Sequence, residues 1–356
     1  MPAQNSSPKT PVSARRQFLA TAASGTAALA GLGVVGAQAQ GADLPKAQRP
    51  ARLPREVTIA TVCQDGLRES SPENMVRAML KRAEQAASQQ PDLVCFPEVF
   101  TCANLSNGRP ELAKFASTPL CPVTQPVADF AKRHQCYVIC PTYTQHDGRY
   151  FNAAVLFDRS GRVAGEYQKI RLTLGEIENG LTPGPDTPPV FETDFGRLGC
   201  QICFDMEWMD GWQKLRKAGA EIVVWPSAFA GGSMVNTMAA LHRYVVVSST
   251  RKDTSKVCDI DGAQLAATSR WNTWAVTTVN LEKVFMHTWP FVQHFEAVLG
   301  KYGPRVSIKT HSEEEWSILE SHDANLRVAD ILQEFGLEQI DAYLARAEQA
   351  QQKAKS

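Results

Sequence analysis

The chain carries no net charge, with 37 basic and 37 acidic residues among 356. No run of lysine or arginine interleaved with aromatic residues breaks that balance, so the electrostatic footprint of a nucleic-acid partner is missing. Beyond residue 36 no apolar stretch reaches the roughly 20 residues that span a bilayer. Internal repeats and low-complexity segments are also missing from the body of the chain. The nine cysteines (63, 95, 102, 121, 136, 140, 200, 203 and 258) lack the even count and the spacing of a disulfide framework, which predicts at least one free thiol. No second cluster of cysteine or histidine accompanies Cys200 and Cys203 to complete a zinc site. What remains is an ordinary globular composition, 44% hydrophobic and 21% charged, able to bury one large core or two modest ones.

The first forty residues have the three parts of an export signal in order. Arg15-Arg16 followed by Phe18-Leu19 resembles a twin-arginine core, residues 20 to 36 are Ala/Gly-rich and weakly apolar, and Ala37-Gln38-Ala39 is a small-residue cleavage site. The expectation is export of the folded protein to a bacterial periplasm, with no stable membrane anchor after cleavage. Cleavage after Ala39 removes Lys9, Arg15 and Arg16 but no acid, leaving a mildly acidic mature protein. The expected organisation is a signal at 1–39, a linker at 40–55, a catalytic domain at 56–290 and a helical C-terminal extension at 291–356.

From Glu56 onward, short β-branched runs alternate with helical periodicity, the pattern of an α/β domain. Strands are predicted at 56–62, 92–98, 136–143, 197–204, 220–228, 244–250, 256–268 and 273–282, with a hairpin at 150–169 turning at Asp158–Gly161. Helices are predicted at 73–88, 123–135 and 208–219. If residues 197–204 form a strand, side chains three apart face opposite ways, so Cys200 and Cys203 do not pair. Cys203 instead ends a strand, just before polar Asp205 and a helix, and strand C-termini are where α/β sheets build sites. A thiol needs a base or a cation beside it to act as a nucleophile. Glu98, closing "CFPE", and Lys169, closing "GEYQK", supply one of each.

With these residues the chain resembles the nitrilase superfamily of carbon-nitrogen hydrolases, whose catalytic residues are Glu, Lys and Cys in that order. The matching segments are "CFPEVF", "YQKIRL" and "GCQICFDMEW", with intervals of 71 and 34 residues between the three positions. The resemblance implies a four-layer αββα sandwich, extended here by the C-terminal helices, that forms a homodimer or higher homo-oligomer. It implies no cofactor and no metal. It also implies that Cys203 forms a thioester, that Glu98 moves the protons, and that Lys169 and the Phe204 N–H hold the oxyanion. Many members carry a second glutamate after the lysine; of Glu176 and Glu178, the spacing to Pro183-Gly184 favours Glu178. Phe204-Asp205 resembles the amidase and carbamoylase branches, so the expected substrate is a small amide or N-carbamoyl compound. A nitrilase or acyltransferase on the same fold, an inactive periplasmic binding protein and a thiol-disulfide protein are the alternatives. The sequence departs from the family at Gln168, at Arg171 and in the short segment 233–247, which lacks the usual Glu-Asn.

Overall fold

The computed structural model describes residues 51–356, so the signal and the linker up to residue 50 lie outside the described residues. Strand β1 (Glu56–Val62) sets the plan by alternation: Val57 and Ile59 enter one core cluster, while Ala60 and Val62 enter another. Helix α1 (Pro72–Ala87) begins where the Ser71 hydroxyl accepts the Asn74 N–H at 3.3 Å and Pro72 takes a first-turn position that needs no donor. It turns Met75, Val76, Met79, Ala83 and Ala86 inward. Next come β2 (Leu93–Cys95), the short α2 (Leu112–Phe115) and α3 (Gln125–His134), which buries Val127, Phe130 and Ala131. The strands β3 (Tyr137–His146), β4 (Arg149–Phe157) and β5 (Val163–Gln168) form an antiparallel meander. The β4–β5 turn is fixed by Asp158 Oδ1, which accepts the N–H groups of Ser160 (2.8 Å) and Arg162 (3.0 Å). Gly161 in that turn has φ +80°, and a Cβ there would sit 2.5 Å from the Ala128 carbonyl oxygen of α3.

The second half repeats the scheme. After α4 (Leu174–Glu178) come β6 (Val190–Glu192), β7 (Arg197–Cys200), α5 (Met209–Lys217), β8 (Ile222–Ser227), α6 (Ser233–His242), β9 (Val245–Thr250), β10 (Lys256–Cys258) and β11 (Gln264–Ala267). Strand β12 (Trp274–Asn280) returns to pair with β1. The two six-stranded sheets run β12-β1-β2-β3-β4-β5 and β11-β10-β9-β8-β7-β6, each with three central parallel strands and antiparallel flanks. Their inner faces meet through Ile59, Leu93, Ile139, Leu198, Val224 and Val247. The outer face of the first sheet packs on α1 and α3, and that of the second on α5 and α6 through Trp212, Leu215, Met238 and Trp225. The layers are therefore α, β, β, α, as the resemblance implied.

Three local readings change. The run 256–268 is a hairpin, because Asp259 and Gly262 close a turn in which Asp261 Oδ1 accepts the Ala263 N–H at 2.9 Å. Strand β7 stops at Cys200, so the strand does not extend to residue 204. The Ile202 N–H goes to Asp205 Oδ2 at 2.8 Å, and Cys203 opens a single 3-10 turn. The C-terminal region contains its helices α7 (Phe295–Tyr302), α8 (Val328–Phe335) and α9 (Ile340–Lys355), together with a sheet the helical reading did not include. There β13 (Lys283–His287), β14 (Val306–His311) and β15 (Trp316–Ser321) pair in the order β13-β15-β14 around Met286, Val298, Leu319 and Ile331. Helix α9 is anchored at its first turn, where Asp341 accepts from Arg216 Nε at 2.8 Å and Arg243 Nη1 at 3.0 Å.

Candidate active site

Glu98 follows β2, Lys169 follows β5 and Cys203 follows β7, so the sheet topology alone brings three strand ends to one place. Lys169 is 1% exposed and Glu98 3%. Lys169 Nζ donates to Glu98 Oε1 at 2.9 Å and to both carboxylate oxygens of Glu176, at 3.0 and 2.8 Å. The second glutamate at the lysine is therefore Glu176 and not Glu178, which is exposed and carries no side-chain contact to the site. The reason is local: Thr173 and Glu176 form a capping box, with the Thr173 N–H donating to Glu176 Oε2 at 2.9 Å. That box starts α4 and turns position 176 inward, which carries position 178 outward. The backbone of Lys169 is pinned on both sides, its N–H to the Asn152 carbonyl and its carbonyl to the Gly184 N–H, each at 2.8 Å.

Asn152, on β4, joins the two carboxylates: its Nδ2 donates to Glu98 Oε1 at 2.9 Å and to Glu176 Oε1 at 2.7 Å. Its Oδ1 is buried with no hydrogen-bond partner, which leaves an acceptor beside the carboxylates. Arg251, just after β9, places Nη2 3.7 Å from Glu98 Oε2. Neither residue was singled out by the sequence reading. Asn152 did carry a signal, a lone amide in the apolar run of "YFNAAVLF". Burial opposes ionisation of Glu98, but Lys169, then Arg251, and the Asn152 amide outweigh it and hold its carboxyl below the usual range. Burial likewise opposes the Lys169 charge, and Glu98, Cys203 and Glu176 together hold it above ordinary lysine.

Cys203 is 8% exposed and has φ +47°, a left-handed backbone that a non-glycine residue adopts at a cost of about 1–3 kcal/mol. Two bonds hold the strain: Trp225 Nε1 donates to the Cys203 carbonyl at 3.0 Å, and Asp205 takes the Ile202 N–H. Burial first, and then Glu98, push the thiol up to about 12, while Lys169, the Ala228 N–H and the Ser227 hydroxyl pull the other way. The resting site thus contains a carboxylate, an ammonium and a protonated thiol. All nine cysteines are free, and Cys200 packs in the core between the sheets. Among the described residues no group of three or more His, Cys, Asp or Glu side chains is arranged to hold a metal ion.

Asp205 ties the nucleophile turn to the lysine segment. Fully buried, it accepts from the Tyr167 hydroxyl (2.6 Å), the Ile202 N–H (2.8 Å) and the Arg171 N–H (2.7 Å). Burial raises its carboxyl to about 6 against those hydrogen bonds. Protonation would place a hydrogen among three donors and loosen the link between Cys203 and Lys169. The catalytic rate should therefore rise with pH through an apparent pKa of about 6, an acid limb that Glu98, held low, does not account for. A pH profile of kcat in the wild type and in Asp205→Asn checks this, since the variant should be slower and should lose that limb.

A cavity of about 820 Å³ opens beside the site, lined by Arg109, Leu112, Tyr143, Tyr150, Glu176 and Leu181 among others. It reaches the buried cluster through Glu176. A second, of about 860 Å³, lies along β11 and β12 with Arg52, Glu56 and Trp274, and none of Glu98, Lys169, Glu176 or Cys203 borders it.

A buried Glu-Lys-Glu cluster and a thiol on a strained turn, at the strand ends of a four-layer sandwich, together have the layout of a cysteine-centred hydrolase. The chain belongs to the carbon-nitrogen hydrolase family, whose sequence profile matches residues 58–285. It is similar to an omega-amidase of Saccharomyces cerevisiae, 27% identical over 223 residues that cover 56% of this chain and 72% of the relative. It is also similar to an omega-amidase of Homo sapiens, 29% identical over 154 residues that cover 41% of this chain and 54% of the relative. Several such alignments span only about half of the relative's length. Among solved structures an amidase from Nesterenkonia sp. shares the fold, with a TM-score of 0.56 and 19% identity over 70% of this chain and 97% of that one. A variant of that amidase holds acrylamide joined to its active-site cysteine by Michael addition.

Proposed function

We propose that the protein is an amidohydrolase that cleaves a non-peptide C–N bond of a small amide or N-carbamoyl compound through a thioester on Cys203. The observation that carries this reading is Lys169 paired with Glu98 and Glu176 beside the strained, buried Cys203. Cys203 Sγ attacks the carbonyl carbon as its proton passes to Glu98. The oxyanion so formed is held by Lys169 and the Phe204 N–H; one such donor is typically worth about 3–4 kcal/mol in the transition state. Glu98 then gives the proton to the leaving nitrogen, the C–N bond breaks, and ammonia or an amine departs. Water takes its place, is deprotonated by Glu98 and attacks the thioester, releasing the acid and restoring the thiol. Glu176 keeps Lys169 in place, and the free acceptor of Asn152 is available to an amide N–H.

Amide chemistry is favoured over nitrile chemistry by Phe204-Asp205 and by the omega-amidase and amidase relatives. Export by the twin-arginine route to the periplasm is part of the same proposal and rests on Arg15-Arg16 and the small-residue site after it. Homodimer formation is supported by Met209 and Leu241, large apolar side chains exposed on the outer helices. A panel of amides, carbamoyl compounds and nitriles, followed by ammonia and acid release, tests the reading. Equimolar ammonia and carboxylic acid from amides is the expected result; transfer of the acyl group to an added amine, or turnover of nitriles alone, would replace it with one of the other chemistries of the fold.

A further inference from the structure

The two oxygens of the Glu98 carboxylate are not equivalent. Both hydrogen bonds to the group end on Oε1, one from Lys169 Nζ and one from Asn152 Nδ2, each at 2.9 Å, and together they occupy its lone pairs. Oε2 faces the Arg251 guanidinium, with Nη2 at 3.7 Å, beyond hydrogen-bond reach. That arginine side chain is 17% exposed, and among the described residues its guanidinium donates no hydrogen bond. An enclosed cation without hydrogen bonds is costly unless its charge answers another. Its place is built into the strand ends. The Arg251 N–H donates to the Ser227 carbonyl at 3.0 Å, and the Thr250 carbonyl accepts the Gln64 N–H at 3.0 Å. Just before them the buried Ser249 hydroxyl donates to the Val62 carbonyl at 2.8 Å and lies 3.1 Å from the Cys95 carbonyl, tying the end of β9 across the sandwich to the ends of β1 and β2. Arg251 and Glu98 both leave these tied ends, so the sheets set the guanidinium opposite Oε2 without a bond between them.

We infer that Arg251 is a positioning residue for the reaction, and that Glu98 Oε2, the oxygen it faces, carries the proton from Cys203 Sγ to the leaving nitrogen. The inference rests on the amidohydrolase reading and adds to it the oxygen that works and the residue that governs it. The gap between Nη2 and Oε2 leaves room for a hydrogen on the oxygen, while the charge of the guanidinium still acts across it. As the thiol attacks, the S–H bond breaks, its proton joins Oε2 and the sulfur electron pair closes on the carbonyl carbon. As the intermediate collapses, the O–H bond breaks, the proton joins the nitrogen and the C–N electron pair leaves with it. A neutral Glu98 beside Arg251 gives up its proton readily, because the carboxylate that results is answered again; without Arg251 the same acid holds on. Burial opposes ionisation of Glu98, and after Lys169 it is Arg251 whose charge offsets it most. The other titratable groups near Glu98 are Glu176, the Cys203 thiol, Arg109 and Cys102 in the loop after β2, and Tyr143 on β3. Lys169 meets the carboxylate at Oε1 and stays in place when Arg251 is removed.

The test compares kcat/KM for an amide hydrolysed in the panel above, whose nitrogen needs a proton to depart, with that for the 4-nitrophenyl ester of the same acid, whose phenolate departs without one. Arg251→Gln is expected to lower the amide-to-ester ratio at least about tenfold, and Arg251→Lys, which keeps the charge, to lie nearer the wild type. A second reading uses Asp205→Asn as a common background, which removes the limb near pH 6, so that the acid limb that remains is that of Glu98. There Arg251→Gln should move the limb to higher pH, lowering kcat/KM at about pH 5 at least about threefold relative to its value at about pH 8. Arg251→Met, equally uncharged, repeats both measurements should Arg251→Gln not fold. A limb that stays where it was, or equal losses for amide and ester, in a variant of unchanged melting temperature overturns the inference and leaves the amidohydrolase reading standing. If no amide of the panel is hydrolysed and Cys203→Ala behaves as wild type, the amidohydrolase reading itself fails and the inference with it.

Discussion

Cys203→Ala should reduce amide turnover by at least about 10⁴-fold, to the level of buffer, while leaving thermal unfolding close to that of the wild type. The size of the loss follows from the way the residues act as a unit: without the nucleophile, the base and the oxyanion donors have no covalent intermediate to serve. The geometry explains why the other groups cannot compensate. Glu98 is ionised and could activate water, but it is anchored by Lys169 and Asn152 so as to serve a sulfur whose proton is held by burial. The fold should tolerate the change because alanine keeps the two bonds that hold the turn, from the Trp225 indole to the Cys203 carbonyl and from the Ile202 N–H to Asp205. Steady-state rates and intact-protein mass spectrometry check both halves, with an acyl adduct on quenched wild type and none on the variant. Equal rates in the two proteins would exclude the thioester, and ligand binding without turnover in both would favour the binding-protein alternative.

The sheets were legible from short β-branched apolar runs such as "EVTIATV" and "EIVVWPS", because strands buried on both faces read as continuous hydrophobic stretches. The end of β7 was not. Residues 201–204 are as apolar as a strand, and only the Asp205 carboxylate, reaching back to the Ile202 N–H, diverts the chain. The parity argument that separated Cys200 from Cys203 therefore used a strand that stops short, although the two thiols are indeed unpaired. The C-terminal strands β14 and β15 were hidden by the acidic turn at Glu313–Glu315 between them, whose composition favours helix, and by the long-range pairing of β15 with β13. Glu98, Lys169 and Cys203 were readable because each ends a strand segment with a recognisable motif. Glu176 against Glu178 was decided by a capping box that a rule counting residues to the next turn does not see, and Arg251 by a contact between distant segments.

Lys169→Met tests the cluster as an electrostatic unit, and its effects should appear in both activity and stability. Turnover should fall at least about 10³-fold, since the change removes an oxyanion donor and the partner of both carboxylates. Breaking a buried ion pair by removing one partner typically costs about 3–5 kcal/mol, because the other charge stays behind in a low-dielectric site. The pH dependence of stability identifies the cause. In the wild type Glu98 is held below its unfolded value, so it contributes stability that is present above the ordinary carboxylate range and is lost as pH falls through the folded value. In Lys169→Met burial, the largest single influence on Glu98, is no longer opposed by the ammonium, and only Arg251 and Asn152 remain to oppose it. The folded carboxyl then moves upward and takes a proton more readily than in the unfolded chain. Its contribution to stability is now present at low pH and is lost as pH rises through the raised value. Urea unfolding at about pH 5 and pH 8 should therefore show the Glu98 contribution level in the wild type, whose loss comes only at lower pH, and falling toward pH 8 in Lys169→Met. A Lys169→Met/Glu98→Gln double variant should regain part of the lost stability without activity, because the neutral amide removes the more deeply buried of the two stranded charges and keeps its place beside Asn152. If the double variant is no more stable than Lys169→Met alone, the ion pair is not what makes Lys169 structurally necessary.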